Sequence, residues 1–551
     1  MSPWLPRSIQ CLREYDRKTF FADLIAGLTV GLVALPLAMA FAISSGLKPE
    51  AGIYCAVVTG FLISALGGSK TQIGGPTGAF VVVIAGIIAK YGIEGLFVCT
   101  MMAGVILVIL GATGMGTAVK FIPFPVVLGF TNGIALLIAS TQIQDFLGLK
   151  IEHVPTEFFG RMESLGAHFH TLSIEATLLG VSSLVLILFF ARYVKRVPGY
   201  IVALFAGTAV VALTGLGVET IGTRFGGIPS GLPRVHVPGF RPILLVHLLS
   251  PALTVAMLGA IESLLSAVVA DRMTGDKHNP NVELIAQGIA NIASPLFGGL
   301  PATGAIARTA TSIRSGAKTP IAGIMHAATL LLVLLFAAPL ARFVPLTVLS
   351  AILFVVSYNM GEWHEVPKLL KLTKSDISVW FITFAFTVFA DLTVAVQAGM
   401  ILSALMFIRK VALTTTVTQV SKKYVEDGRD HILQDKLIPD FVTIFRIHGP
   451  FLFGATDKIA IITDRIPSLP PVVILRLRNM TAIDATGLQA LEDLAGKLQR
   501  SNRTLILCGA REQPGRLMHQ AEFEQHVGRD NICSSVHHAL ERAKQCMNQA
   551  A

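Results

Sequence analysis

Charge is scarce in this chain. Of its 551 residues only 14% are Asp, Glu, Lys or Arg, where soluble domains carry about 25%. Cysteines are few and scattered. Cys11, Cys55, Cys99, Cys508, Cys533 and Cys546 form no CxxC pair and no even framework, which argues against disulfides and against a structural zinc site. The first 19 residues do not read as a cleavable leader, because Arg7, Arg13, Arg17 and Lys18 precede an apolar run long enough to span a bilayer. Nothing resembles a nucleotide loop, and the polar tail shows no nucleophile–base or metal-ligand spacing. No catalysis, cofactor or metal is therefore expected.

Apolar residues fill the gap. They make up 53% of the chain, with mean hydropathy +0.67, and they fall in long runs, which points to a body embedded in hydrocarbon. About fourteen runs appear. The first set lies near 20–44, 50–66, 72–90, 94–115, 121–140, 174–191 and 198–216, and the second near 248–270, 282–297, 304–313, 320–338, 345–359, 376–391 and 392–408. Several are shorter than the roughly 20 residues a bilayer requires. The formal charge of +10 sits in short loops and not in one patch, so nucleic acid is not an expected partner.

Loop charge sets the expected orientation. With a cytoplasmic N-terminus, the inside loops hold Lys70, Lys120, Arg192, Lys195, Arg196, Arg272, Lys277, Arg314, Lys318, Lys368, Lys371 and Lys374, with Arg409 and Lys410 at the exit. This follows the positive-inside rule. The stretch 217–247, with Arg224, Arg234 and Arg241, is the one poor fit.

Composition changes near residue 414. Short β-type runs at 441–447, 472–477 and 504–508 alternate with a helical pattern at 486–499. The expected organisation is a cytoplasmic segment 1–19, a membrane domain 20–413 with halves near 20–216 and 248–413, a linker 414–434, and a cytoplasmic α/β domain 435–551.

Two segment pairs recur at nearly one offset. Leu28-Thr29-Val30 matches Leu253-Thr254-Val255, and Pro76-Thr77-Gly78-Ala79 matches Pro301-Ala302-Thr303-Gly304-Ala305. Seven runs per half is odd, so the second half enters from the opposite side, as in secondary transporters. The second pair interrupts its runs with Gly74-Gly75-Pro76 and with Gly298-Gly299-Leu300-Pro301. Glycine and proline end the preceding helix, and each following helix starts partway through the membrane. Its first N–H groups then lack partners, and two such ends facing each other form an anion site. Ordinary kinks packed by small residues are the plainer alternative.

Glu262 is an acid inside the apolar run 252–270, which marks a functional position. It corresponds in the repeat to Leu37, and Ser266 lies one turn on. Removal from water favours a protonated acid over a bare carboxylate, which argues for a travelling proton over sodium. A structural hydrogen bond to the broken backbone is the alternative. Arg308, one turn into the second short helix, would add positive potential or pair with Glu262. Phe41, five residues after Pro36, could wall a pocket. Asp145 and Asp391 read as loop residues.

With these residues in view, the chain resembles the SulP family of anion transporters. The motifs are residues 23–29 (Asp23 to Thr29) through Pro36, Gly74 to Ala79, Gly259 to Leu265, Pro301 to Thr309, and Ser315 to Pro320. The tail is similar to a STAS domain, through Ile483-Asp484-Ala485-Thr486-Gly487-Leu488. The resemblance implies a seven-plus-seven inverted repeat with core and gate domains, an elevator movement and a homodimer. It places substrate at Phe41, Thr77, Gly78, Ala79, Phe80, Gly304, Ala305, Ile306 and Arg308, and the coupling ion at Glu262 and Ser266. A sodium-coupled bicarbonate branch has Asp and Thr where this chain has Glu262 and Ser266, and a threonine at Ile306. Met257 to Val269, with Met273-Thr274-Gly275, is more similar to bacterial proton-coupled dicarboxylate carriers. Channel-like relatives carry serine at Ala307 and lack the acid. Thr486 stands where some soluble STAS proteins are phosphorylated, although Asp484 and Thr486 are also good helix caps.

The expected function is secondary transport of sulfate, a C4-dicarboxylate or bicarbonate across the plasma membrane, coupled to a proton or run as exchange. A sodium-coupled bicarbonate carrier and a passive anion channel are the alternatives. The STAS domain leaves room for a cytoplasmic protein partner.

Overall fold

The computed structural model describes residues 4–550 except 14, 118–122, 152–153, 156, 195–197, 232–234, 240–241, 391 and 421–437. Lys120, Lys195, Arg196, Arg234, Arg241, Asp391 and most of the expected linker lie outside the described residues. The chain divides into two compact units, Met1–Ile401 and Leu402–Ala551.

The first unit is helical. Its elements are α1 (Arg7–Leu12), α2 (Arg17–Ser44), α3 (Pro49–Leu66), β1 (Gly74–Gly75), α4 (Ala79–Ala112), α5 (Phe124–Leu147), α6 (Phe158–Ala167), α7 (Ile174–Tyr193), α8 (Gly199–Thr214) and α9 (Ile221–Phe225). Then come α10 (Pro242–Thr274), α11 (Pro280–Leu296), β2 (Thr303–Gly304), α12 (Ile306–Arg314), α13 (Ile321–Phe336), α14 (Leu346–Met360), α15 (Val366–Leu369), α16 (Lys374–Phe389) and α17 (Leu392–Thr414), which runs on into the second unit. Among the described residues seven helices are long and apolar enough to cross a membrane, and three more are apolar but shorter. α4 breaks at Gly92, whose φ of 72° and ψ of −178° only glycine adopts freely. That break separates the runs expected at 72–90 and 94–115.

The helices pack in two sets. One joins α2, α3, α4, α10, α11, α12 and α13, and the other joins α5, α7, α8, α14 and α16. Without a hydrophobic drive between helices in lipid, close backbone approach supplies the packing. At the α4–α11 crossing, a β-carbon on Gly104 or Gly288 would lie 2.6 Å from the other's carbonyl oxygen. Asp145 belongs to the last turn of α5, not to a loop, and pairs with Arg224 at 2.7 Å. Arg224 also meets Glu219. Asp145 and Glu219 thus balance Arg224, one of the three arginines of 217–247.

The second unit is an α/β domain on a five-stranded sheet in the order β3-β4-β5-β6-β7. The strands are β3 (Thr416–Gln419), β4 (Val442–Phe451), β5 (Val472–Ile483), β6 (Thr504–Cys508) and β7 (Ile532–Cys533). β3 is antiparallel to β4, and the other pairs are parallel. β3 comes from the stretch read as a linker. Side chains alternate across the sheet. Phe445, Ile447, Leu475 and Leu477 form one core with the leucines of α18 (Ala485–Arg500). Val442, Ile444, Val472, Ile474 and Ile506 form the other with α19 (Val536–Ala550).

Candidate functional site

The two interrupted segments meet. β1 pairs antiparallel with β2, Gly74 opposite Gly304 and Gly75 opposite Thr303. The Ala305 N–H donates to the Ile73 carbonyl at 2.8 Å, and the Ile73 N–H donates to Thr309 Oγ1 at 3.0 Å. The approach leaves no room at Gly304. A β-carbon there would overlap the Gln72 side-chain amide and stand 3.1 Å from the Ser263 Cα.

α10 braces this junction with side chains. Thr303 Oγ1 donates to the Gly259 carbonyl (3.1 Å), Ser263 and Thr303 share a hydroxyl bond (2.7 Å), and the Gly304 N–H donates to Ser263 Oγ (3.1 Å). Gln72 Nε2 donates to the Ser263 carbonyl at 3.1 Å. The bracing fixes where the next helices start. α4 begins at Ala79 after Gly78, and α12 at Ile306 after Ala305, and neither start has a side-chain cap. Uncapped N–H groups and the positive ends of two helix dipoles are what an anion requires.

A cavity of about 320 Å³ lies between the two helix sets. One wall holds Phe41 of α2, Thr77 and Gly78, Glu262 of α10, and Gly304 through Arg308. The opposite wall holds Phe130 and Thr131 of α5, Tyr200 of α8, and Asn359 and Met360 of α14. Leu37 of α2 lines it too. Thr77 Oγ1 donates to Glu262 Oε2 at 2.9 Å. Arg308 is buried and does not pair with Glu262; its guanidinium donates to the Pro76 carbonyl, across the junction.

Other expected residues stand outside the cavity. Ala79 and Phe80 are buried, with the Phe80 ring close to Gly259. Ser266 faces Thr309, with 3.1 Å between the hydroxyls, and does not reach the cavity. In the tail, Asp484 caps α18 by accepting from the Gly487 N–H at 2.8 Å, and it also accepts from the Phe453 N–H at 3.0 Å. Thr486 is exposed on the first turn of that helix.

Sequence reasoning missed the role of Asp23, although its motif was visible. This fully buried carboxylate of α2 accepts from the Lys318 N–H (2.7 Å), the Thr319 N–H (3.2 Å) and Thr319 Oγ1 (2.5 Å). It ties the loop that follows α12 to the helix that carries Phe41. We expect Asp23→Asn to cost about 1–3 kcal/mol, the range for stranding a buried partner. The measurement is Tm of the detergent-solubilised protein. Thr319→Val combined with Asp23→Asn should lower Tm less than the two single losses added together, because both remove one network.

Comparison with known proteins bears on this site. The sulfate permease family model matches residues 20–383, and the STAS domain model matches residues 434–539. YvdB of Bacillus subtilis, named as a proposed sulfate transporter, is 41% identical over 94% of this chain and 97% of its own length. The bicarbonate transporter BicA of Synechocystis is 32% identical over 97% of this chain and 96% of its own. The solved transmembrane domain of a cyanobacterial BicA covers 71% of this chain and 98% of that one, at 32% identity and TM-score 0.63. Murine Slc26a9 in an inward-facing state shares the fold over 98% of this chain and 94% of that one, at TM-score 0.87 and 18% identity.

Proposed function

The chain belongs to the sulfate permease family, and from that premise we propose that it is a proton-coupled secondary transporter of a small anion: sulfate, a C4-dicarboxylate or bicarbonate. It is a multi-pass membrane protein with a C-terminal STAS domain, and not an enzyme. The observation that carries the reading is the β1–β2 pairing, which sets two uncapped helix starts, Arg308 and Glu262 on one cavity.

The chemistry follows from charge. Each helix start favours an anion by about 0.3–2 kcal/mol, and Arg308 adds a full positive charge behind them. An ionised Glu262 opposes the same anion. At a separation of about 5 Å and an effective dielectric near 20, that repulsion is about 3 kcal/mol, or roughly a hundredfold in affinity. A proton on Glu262 removes it. Anion and proton thus bind better together than apart, which is the thermodynamic requirement for symport. The cavity lies between two separately packed helix sets, so a slide of one set past the other would carry it from one face to the other. This supports an elevator movement.

The sodium reading is weaker here. Ser266 is occupied by Thr309 and stands away from the cavity, so the hydroxyl one turn on from Glu262 is not available to complete an oxygen shell for sodium. The basic inside loops support a plasma-membrane protein with a cytoplasmic N-terminus and STAS domain. A homodimer and a protein partner for the STAS domain complete the proposal.

Uptake into liposomes of purified protein tests it. Labelled sulfate, succinate and bicarbonate are offered with proton and sodium gradients imposed separately. An inward proton gradient should drive saturable accumulation of one of them, and a sodium gradient alone should not. Sodium-driven uptake, or a flux that never saturates and follows only the anion gradient, would overturn the reading.

A further inference from the structure

A proton-coupled anion carrier has to admit two cargoes of opposite charge. The field of Arg308 and two helix starts, which draws an anion into the cavity, repels a free proton. A proton therefore needs its own way to Glu262. Besides Glu262 and Arg308, the titratable side chains on the cavity are Tyr200 and Glu362. Glu362 is exposed and Glu262 only partly so, which puts Glu362 at the mouth. Among the described residues α2, α5 and α17 present no charged side chain to the cavity, while α10 presents Glu262 and α12 presents Arg308.

The backbone that presents Glu362 is strained and firmly held. Its φ is 44°, in the left-handed region that a glutamate seldom adopts. Such residues persist only where their surroundings fix them, and they gather at functional sites. Here α14 ends at Met360, and the next carbonyl, that of Gly361, accepts from Asn132 Nδ2 of α5. Asn132 is fully buried, and its Oδ1 accepts from Trp380 Nε1 of α16 at 2.8 Å. The Glu365 N–H donates to the Glu362 carbonyl at 2.9 Å, and the Trp363 indole lies so close over Gly361 that a β-carbon there would overlap it. The side chain is left free. His364 and Lys368 both pair with the neighbouring Glu365, at 3.2 Å and 2.6 Å, and among the described residues Glu362 makes no ion pair or side-chain hydrogen bond.

We propose that Glu362 is the proton-transfer residue of this carrier, taking a proton from the bath and passing it through cavity water to Glu262. This deepens the proton-coupled reading and rests on it. The carboxylate at the mouth supplies the sign of charge that the cavity interior lacks for a proton. The cavity of about 320 Å³ has room for a short water chain, since a molecule of liquid water takes about 30 Å³. In the first step an O–H bond forms on Glu362 as a hydronium ion gives up its proton. In the second that bond breaks, water relays the proton, and an O–H bond forms on Glu262. Glu362 ends as the carboxylate it began as, ready for the next proton.

Initial rates of proton-driven anion uptake into proteoliposomes, measured across a range of bath pH, test this. Glu362→Gln should slow uptake by about tenfold at neutral pH, the lower end of what electrostatic steering supplies. The deficit should close as the bath is acidified and protons reach Glu262 unaided. Glu362→Asp keeps the acid and should keep most of the rate. Glu362→Gly relaxes the backbone, because glycine adopts positive φ freely, but it removes the acid and should be as slow as Glu362→Gln. A glycine variant as fast as wild type would assign the role to the turn and overturn the proposal. So would a Glu362→Gln deficit that is the same at every pH, or no deficit at all, and each of these leaves the proton-coupled reading standing. Wild-type uptake indifferent to the proton gradient would overturn both together.

Discussion

Glu262→Gln abolishes proton-driven accumulation of the transported anion while exchange of labelled for unlabelled anion continues. Glutamine keeps the shape of the side chain and an acceptor for the Thr77 hydroxyl, now 2.9 Å from Glu262 Oε2. What it loses is the ability to change charge. With the acid permanently neutral, the repulsion of about 3 kcal/mol is always absent. Binding is then as tight as in the protonated protein at every pH, and uptake loses its dependence on the proton gradient. The check is paired: accumulation ratio under an imposed gradient, and counterflow without one. Accumulation equal to wild type would remove Glu262 from the coupling. Loss of both activities with unchanged Tm would make it part of the anion site instead.

Gly304→Ala slows transport sharply by forcing the β1–β2 junction apart. The added methyl falls on the Gln72 side-chain amide and 3.1 Å from the Ser263 Cα, so either the amide leaves or β2 moves off β1. Overpacking of this kind costs about 1–3 kcal/mol. Here the cost falls on the junction that aims α4 and α12. A small misplacement of binding groups is enough to lose a hundredfold in rate, and we expect uptake to fall by at least ~10-fold. Gly86→Ala provides the comparison, because nothing lies within 4 Å of its β-carbon position, and it should transport normally. Gln72→Ala makes room for the methyl, and combined with Gly304→Ala it should recover part of the lost rate. A Gly304→Ala protein with wild-type uptake would mean that the junction tolerates opening.

The parts of this site that could be read from sequence share one property: each breaks a local rule. Gly74-Gly75-Pro76 and Gly298 through Pro301 interrupt apolar runs, which locates the two helix starts. Glu262 is an acid where hydrocarbon is expected. The opposite wall breaks no rule. Val126, Phe130, Tyr200 and Met360 sit in helices whose polar residues are not gathered on one face, and nothing in their spacing marks a cavity face. Ser266 misled for a geometric reason. Four residues share a helix face, but they also rise about 6 Å along the axis, which carries the hydroxyl past the cavity to Thr309. Asp23 lies near the start of a span, and its partners Lys318 and Thr319 stand 295 and 296 residues further along the chain, so no local pattern marks its role. β3 is a short polar segment, Thr416–Gln419, whose strand character depends on pairing with β4 and not on its own pattern.

The most direct measurement concerns the place where the anion rests. In a variant lacking the six native cysteines, Ile306→Cys puts a thiol on the first residue of α12, at the edge of the cavity. If two helix starts hold the transported anion between them, saturating anion should slow modification of that thiol by a small charged reagent, with half-protection at the concentration that half-saturates uptake. A labelling rate unchanged by saturating anion, in a variant that still transports it, would contradict the account.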